Sequence, residues 1–403
     1  MTASLDVLLG ARTVGTIVLL PGEHSLFVFD AAYASDAERP TLSQSYLTAT
    51  GLLRQDTRPT RLKLPPWFSN LLPEGRLRQY LAQRGGVDPA QEFHILRVLG
   101  EDLPGAVRVI ASSAEQPKAV EQPARTQPAV NAPLRFSLAG VQLKFSALGD
   151  RHGGLTIPAY GVGGDWIVKL PSPQYPAVPE NEATMLTLAA AAGIDVAEHR
   201  LVPLETIGGM PALGPFSGKL ALAVRRFDRS PAGRIHMEDL AQVFGVFPDD
   251  KYRKVGLARI AEVIGLVLGQ PAAQDFIARV TFVVITGNGD MHLKNCSLIY
   301  PDTRAPQLAP AYDLVSTVPY LPGDGLALNF LGERSFAAIA RERFRRLAAT
   351  AGLSERDTLA TVARVTDAVQ SAWPDLRRMS ALPPEIADRI DAHINTTPLG
   401  RKA

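Results

Sequence analysis

The stretch 112–133 limits most strictly what this chain can fold into. Ser112-Ser113-Ala114-Glu115-Gln116-Pro117 and Gln122-Pro123-Ala124-Arg125-Thr126-Gln127-Pro128 are rich in Pro, Gln and Ala and poor in large apolar side chains. A segment of that make-up buries too little surface to offset the entropy of ordering it, and it reads as a mobile linker. The 403 residues must therefore form separate units on either side, an N-terminal block over 1–111 and a larger body from 134 onward. With 46% hydrophobic and 20% charged residues, both sides have the material for a core. Lys and Arg number 42 against 40 Asp and Glu, a net charge of +2, too small to draw the whole chain onto nucleic acid or an acidic membrane. The single cysteine, Cys296, excludes an internal disulfide or a CxxC metal site and fits a reducing cytosol. Met1 to Gly10 lacks the basic and long apolar regions of a secretory signal, and no apolar run reaches the length of a membrane span. The expectation is a soluble, cytoplasmic protein with no membrane partner.

Periodicity divides the chain further. Val7–Leu9, Thr13–Leu20 and Ser25–Phe29 read as short strands separated by turn residues. A helix-like run from Leu71 to Ala82, another over Phe93–Leu99 and a returning strand over Ala106–Ile110 complete the first block. From Leu134 the pattern turns strand-rich: Phe136–Ala139, Gln142–Ala147, Leu155–Ile157 and Trp166–Leu170. A helix over Glu180–Ala192 and strands over His199–Leu204 and Leu220–Arg226 follow. Beyond Asp239 the chain is mostly helical, over Val255–Leu268, Ala272–Thr286, Phe336–Ala351, Ser354–Ala372 and Pro384–Asn395, interrupted by a hairpin-like pair at Asn295–Tyr300 and Gln307–Ala311. A β-rich block over 134–233 with one helix is thus expected to precede a helical block over 234–403.

The segment Gly287-Asn288-Gly289-Asp290-Met291-His292-Leu293-Lys294-Asn295-Cys296-Ser297-Leu298 carries the chemistry. Four residues separate Asp290 from Asn295, and Asp313 follows across the hairpin. Phosphoryl transfer needs one carboxylate to take the proton of the attacking hydroxyl, and an amide oxygen with a second carboxylate to hold Mg2+ against the nucleotide phosphates. The order Asp, Asn, Asp is that of the catalytic loop and metal-binding Asp of protein kinases. Asp-x4-Asn alone arises often by chance. Upstream, Lys169 ends the strand Trp166-Ile167-Val168-Lys169, where a kinase places its phosphate-binding lysine, and Glu182 lies in the next helix, placed to pair with it. Taken singly each has a plainer reading: an edge lysine, a helix N-terminal charge, a turn at Gly289-Asp290. His292 lacks the spacing of a zinc motif and reads as a hydrogen bonder that orders its loop, and Cys296 as a packing residue.

Gly289-Asp290-Met291-His292-Leu293-Lys294-Asn295 and Ala311-Tyr312-Asp313-Leu314-Val315-Ser316 resemble the active site of HipA-type serine/threonine kinases, the toxins of bacterial type II toxin–antitoxin modules. Ser137-Leu138-Ala139-Gly140-Val141-Gln142-Leu143-Lys144 is similar to the family's Ser-x-Ala-Gly-x-Gln-x-Lys loop. Glu180-Asn181-Glu182, Leu222 to Arg229, Glu238 to Gln242, Phe68 to Gly75 and Pro104 to Val107 extend the likeness over nearly the whole chain. The resemblance implies an α+β, two-lobed protein-kinase-like fold with an additional N-terminal β-rich subdomain. It implies Asp290 as catalytic base, Asn295 and Asp313 as Mg2+ ligands, and Lys169 on the ATP phosphates. Leu138, Ala139, Gly140, Val141, Gln142 and Lys144 would cover the phosphates, with backbone N–H groups forming an anion nest. Arg225 to Phe227 would form the hinge against adenine, Asp228 would reach the ribose, and His292 and Lys294 would line the nucleotide site. The family usually has Glu where Arg225 stands; hinge contacts are largely backbone, so ATP binding does not depend on it. Ser137 matches the serine that the family autophosphorylates to switch itself off. A phosphate there adds about −1.5 to −2 charge to a loop that must accept nucleotide phosphates.

The resemblance also implies a small helix-turn-helix antitoxin (HipB-like) that tethers the kinase to operator DNA, and an aminoacyl-tRNA synthetase as the default substrate class. DNA contact would be mostly indirect: the basic run Arg341, Arg343, Arg345, Arg346 is broken by Glu342 and Phe344 and reads as a solvated helix face. Two rival readings are a small-molecule phosphotransferase, which shares the Asp-x4-Asn logic, and a non-catalytic corepressor acting with an antitoxin. The Ser137 segment argues against the first, and the complete set of catalytic residues against the second.

Overall fold

The computed structural model describes residues 3–112, 143–150, 154–158, 163–210 and 216–401. The linker, the strand expected over Phe136–Ala139 and the loop residues Ser137, Leu138, Ala139, Gly140, Val141 and Gln142 lie outside the described residues.

The N-terminal block is a five-stranded antiparallel sheet in the order β4-β3-β2-β1-β5, formed by β1 (Ser4–Leu9), β2 (Arg12–Leu20), β3 (His24–Phe29), β4 (Thr60–Arg61) and β5 (Val107–Ala111). Alternation dictates its packing: Leu5, Val7 and Leu9 face inward while Ser4, Asp6 and Leu8 are partly exposed. The short helices α1 (Ala31–Ser35) and α2 (Pro66–Ser69) and the longer α3 (Gly75–Gly85) and α4 (Glu92–Leu99) cover it. The helix expected from Leu71 begins only at Gly75, because Leu71 and Leu72 are buried in the turn that follows α2.

The second block opens with a six-stranded sheet in the order β10-β7-β6-β8-β11-β9. Its strands are β6 (Lys144–Gly149), β7 (Leu155–Thr156), β8 (Trp166–Lys169), β9 (His199–Pro203), β10 (Ile207–Gly208) and β11 (Leu220–Arg225), and its one helix is α5 (Val178–Ala191). A ribbon of β12 (Arg229–Ser230) and β13 (Gly233–Arg234) leads into β14 (His236–Asp239), which pairs with the expected hairpin, β15 (Ser297–Tyr300) and β16 (Gln307–Leu308). Sequence reading missed β14; its four residues are too short for alternation to show. The rest is helical: α6 (Leu240–Val243), α7 (Leu257–Leu268), α8 (Gln270–Thr286), α9 (Arg341–Ala351), α10 (Glu355–Met379) and α11 (Pro384–Thr396). Helix α10 runs past the expected Ala372 and contains Pro374. Among the described residues no helix is long and apolar enough to cross a membrane.

The apolar cores do not follow the division suggested by the linker. Leu5, Phe27, Phe68, Leu96 and Val109 of the first block are continuous with Phe145, Val168, Leu170, Ala221 and Ala223 of the second block's sheet. A separate core joins α5 to the C-terminal helices through Leu186, Ile260, Phe276, Val284, Phe344 and Trp373. The N-terminal block is therefore fused through side chains to the sheet that follows it.

Candidate active site

A cleft of about 550 Å3 lies where the six-stranded sheet, the C-terminal helices and the N-terminal block meet. Its lining includes Lys144, Lys169, Glu182, Arg225, Phe227, Asp228, Asp290, His292, Lys294, Asn295 and Asp313. Residues separated by up to 169 positions in sequence thus converge there, as the kinase reading requires.

On one wall Lys169 closes β8. Its Nζ donates to Glu182 Oε1 at 2.5 Å and, in a tighter contact, to Asp313 Oδ1. Lys144 sits directly across from it in the register of β6 and β8. Burial alone would push the Lys169 ammonium down; the two carboxylates overcome this and hold it above its ordinary value. Burial pushes the Glu182 carboxyl up, while for Asp313 the neighbouring lysines outweigh burial and hold its carboxyl below the usual range. The neighbour of Glu182 adds a clamp: Asn181 Nδ2 donates to Ser316 O at 2.9 Å and its Oδ1 accepts from Ser316 N at 3.1 Å. Glu180-Asn181-Glu182 therefore fixes both Lys169 and the segment after Asp313. Asp313 itself has φ +53, a left-handed conformation for a non-glycine residue of the kind that concentrates at functional sites. Tyr312 before it shares a hydrogen bond with Ser297 Oγ at 2.5 Å and donates to Lys294 O at 2.9 Å.

The opposite wall is the loop after α8. That helix ends at Gly287, with φ +68; a Cβ there would lie 2.6 Å from Val318 Cγ1. Only glycine makes this exit without strain, and it turns the chain toward the cleft. Asp290 N donates to Asn288 Oδ1 and Gly289 N to Thr317 Oγ1. Tyr252 OH donates to Asp290 Oδ1 at 2.8 Å, and burial pushes the Asp290 carboxyl up, the direction a general base needs. Asn295 Nδ2 donates to Asp290 O at 2.8 Å, which fixes the amide and leaves its Oδ1 as the acceptor end. His292 caps the next turn, accepting from Lys294 N at 3.2 Å, and burial pushes its imidazole down to about 3. That hydrogen bond orders its loop. Cys296 is buried immediately before β15.

One expectation changes, and two are narrowed. Asp228 cannot serve as a free ribose acceptor: Arg226 Nε and Nη2, Arg229 Nη1 and Gly105 N all donate to it, at 2.7–2.9 Å. It ties the hinge to the N-terminal block, and these donors hold its carboxyl down at about 2. Lys294 lines the cleft, with its ammonium engaged, donating to Asn70 O at 3.0 Å and pairing with Glu74 Oε1 at 2.7 Å. The Arg225 side chain is exposed and pairs with Glu198, and its backbone N donates to Glu198 O at 2.7 Å. Sequence reading missed Tyr252, Lys251, Glu74 and Asn70. Tyr252 and Lys251 lie in a short turn without periodicity, and Glu74 and Asn70 were noted only as part of a similar stretch. On α9, Arg345 pairs with Glu342 and Glu355, and Arg343 donates to the carbonyls of Phe330 and Leu331; the basic run is a solvated face.

The family model of the HipA N-terminal domain matches residues 5–110, and that of the HipA-like C-terminal domain matches residues 136–373. The chain belongs to the HipA family. A protein of Sinorhizobium fredii named "Putative kinase Y4dM" is 48% identical over 402 residues, 99% of this chain and 98% of its own. The serine/threonine-protein kinase toxin HipA of Shewanella oneidensis is 26% identical over 356 residues, 79% of this chain and 76% of its own. A solved structure of the Shewanella oneidensis HipA, HipB and operator DNA complex has a chain that superposes with a TM-score of 0.74 at 22% identity, covering 98% of this chain and 96% of that one. The two-lobed HipA fold is thus the fold of this chain, and kinase is the activity by which its relatives are named.

Proposed function

We propose that this HipA-family chain is an ATP- and Mg2+-dependent protein serine/threonine kinase. The observation that carries the reading is the contact of Lys169 with both Glu182 and Asp313, in one cleft with Asp290 and Asn295. Phosphoryl transfer asks little covalent chemistry of a protein and much positioning and charge stabilisation. Lys169 is a permanent cation for nucleotide phosphates, oriented by Glu182. Asp290, steadied by Tyr252, would take the proton from the acceptor hydroxyl. The amide oxygen of Asn295 and the ionised carboxylate of Asp313 would hold Mg2+, which neutralises phosphate charge when bound. Among the described residues no group of three His, Cys, Asp or Glu side chains is arranged to hold a metal alone; a two-ligand site shared with phosphate oxygens is how Mg2+ is commonly bound. Phe227, Leu71 and Met237 supply an apolar wall beside the hinge for adenine. Leu138 to Gln142 with Lys144 would cover the phosphates.

The Shewanella oneidensis relative is named a toxin and was solved with HipB and operator DNA. By that likeness the present chain acts as a growth-inhibiting toxin restrained by a small helix-turn-helix antitoxin. Its substrate would be a translation component such as an aminoacyl-tRNA synthetase, and phosphorylation at Ser137 would switch it off. The test is labelling of the purified chain with γ-labelled ATP and Mg2+, with mapping of the labelled residue. Incorporation at Ser137 by the wild type and none by Asp290→Gln is expected. No transfer by a wild-type protein that binds the nucleotide refutes the reading.

A further inference from the structure

The catalytic loop is braced by a carboxylate that belongs to the N-terminal block. Glu74 precedes α3 and reaches across to the cleft, where Oε2 lies 2.7 Å from Lys251 Nζ and Oε1 lies 2.7 Å from Lys294 Nζ. Each lysine leads to a catalytic group. Lys294 stands in the turn immediately before Asn295, and Lys251 adjoins Tyr252, which donates to Asp290 Oδ1. The two segments also touch through their backbones, Leu293 N donating to Lys251 O. Asn70, from the same block as Glu74, accepts from Lys294 Nζ through its carbonyl and donates through Nδ2 to Val246 O at 2.7 Å.

From this arrangement we infer that Glu74 is a positioning residue for phosphoryl transfer: it bridges Lys251 and Lys294, and so sets the separation of the proton acceptor Asp290 from the ion-binding Asn295. The inference rests on the kinase reading for its activity readout. The physical ground is that the side chains of Lys251 and Lys294 are only 6% and 3% exposed. Two ammonium groups that deep repel each other unless an anion stands between them, and a buried charge without its partner is strongly unfavourable. The lysines on the Glu74 carboxyl pull it down to about 2, so the bridge stays ionised at any physiological pH. Asp239, Asp290 and Asp313 also face this region, yet Asp239 caps α6 and the other two are engaged with Tyr252 and Lys169. The N-terminal block therefore contributes a working part of the active site, and Glu74→Gln should separate binding from chemistry. Nucleotide affinity should hold or tighten, since two lysine charges are freed near the phosphates, while transfer falls by roughly 10- to 100-fold, as when a group that orients catalytic ligands is lost.

The experiment compares the full-length wild type, Glu74→Gln and Glu74→Asp by three measurements. These are binding of the β,γ-imido analogue of ATP with Mg2+, the rate of phosphate incorporation, and hydrogen exchange across residues 288–296. Glu74→Asp keeps the charge, and with it the fold, but is one methylene too short to span both ammoniums; it serves if Glu74→Gln does not fold. Faster exchange over 288–296, slower transfer and undiminished analogue binding support the bridge. Wild-type exchange and wild-type rate in the variants overturn it. If the wild type itself transfers no phosphate, the kinase reading fails, and the exchange comparison still decides whether Glu74 holds the loop.

Discussion

Lys169 is the point at which the structure can be tested most severely. Its ammonium lies between Glu182, 1% exposed, and Asp313, so Lys169→Met leaves two carboxylates facing each other with only Lys144, on the neighbouring strand, to offset them. Removing one partner of a buried ion pair typically costs about 3–5 kcal/mol. For a body of this size that is a drop in Tm of roughly 4–6 °C at neutral pH. The pH dependence discriminates further. In the wild type Asp313 is held below its unfolded value, so its contribution is fully present above about pH 4 and is lost only as pH falls through the depressed folded value. Lys169 is held above its unfolded value, so its contribution is present throughout the range below about pH 10. Neither changes between pH 5 and 8, and Glu182, already raised by burial, lowers stability with rising pH even in the wild type. In the variant, burial and mutual repulsion raise the carboxyl pair above its unfolded value. The folded state then binds more protons than the unfolded one, and stability falls as pH rises above about 4. The Tm deficit of Lys169→Met should therefore be smaller at pH 5 than at pH 8. Thermal unfolding by circular dichroism at the two pH values measures it. A deficit under about 2 °C, or one that does not shrink toward acid pH, would refute the claim that Lys169 neutralises a buried carboxylate pair.

Other outcomes are specific. Tyr252→Phe removes a hydrogen bond that favours the ionised form of Asp290 and is worth about 1.5–3 kcal/mol. The acid limb of the pH–rate profile for phosphate transfer should move upward by about one to two units, and an unmoved limb would remove Tyr252 from the site. Asp313→Asn should weaken Mg2+-dependent binding of a nucleotide analogue by roughly 10- to 100-fold in titration calorimetry; unchanged Mg2+ dependence would place the ion elsewhere. Arg226→Met removes the two-pronged donor to the buried Asp228, which keeps Arg229 and Gly105 N, and should cost about 1.5–3 kcal/mol in urea unfolding. Gly287→Ala forces a Cβ against Val318 at a left-handed φ; it should lower both Tm and transfer rate, and wild-type values would show that the loop can relax around it.

The legible parts of the molecule were those where chemistry and chain order coincide. Lys169 at a strand end, Glu182 in the next helix and Asp290, Asn295 and Asp313 around a hairpin could be placed because each sits where local pattern names its element. The strands of the first block were readable because turn residues separate Val7–Leu9, Thr13–Leu20 and Ser25–Phe29, although the first begins earlier, at Ser4. What escaped depends on long-range contact. The four residues of β14 become a strand only by pairing with β15, and Asp228 looked available until Arg226, Arg229 and Gly105 closed on it. Glu74 has no signal beyond its place in the similar stretch Phe68 to Gly75; its role arises from lysines about 177 and 220 positions away.

The continuity of Phe27, Phe68 and Leu96 with Phe145, Val168 and Leu170 has a practical corollary. A fragment cut at the linker would look reasonable on paper, yet it would strip one face of the nucleotide-side sheet down to bare oil and leave it prone to aggregate. The cut that sequence composition invites is the one that should ruin the fold, and single-molecule pulling from the two ends should see the first 111 residues and that sheet give way together in one rip.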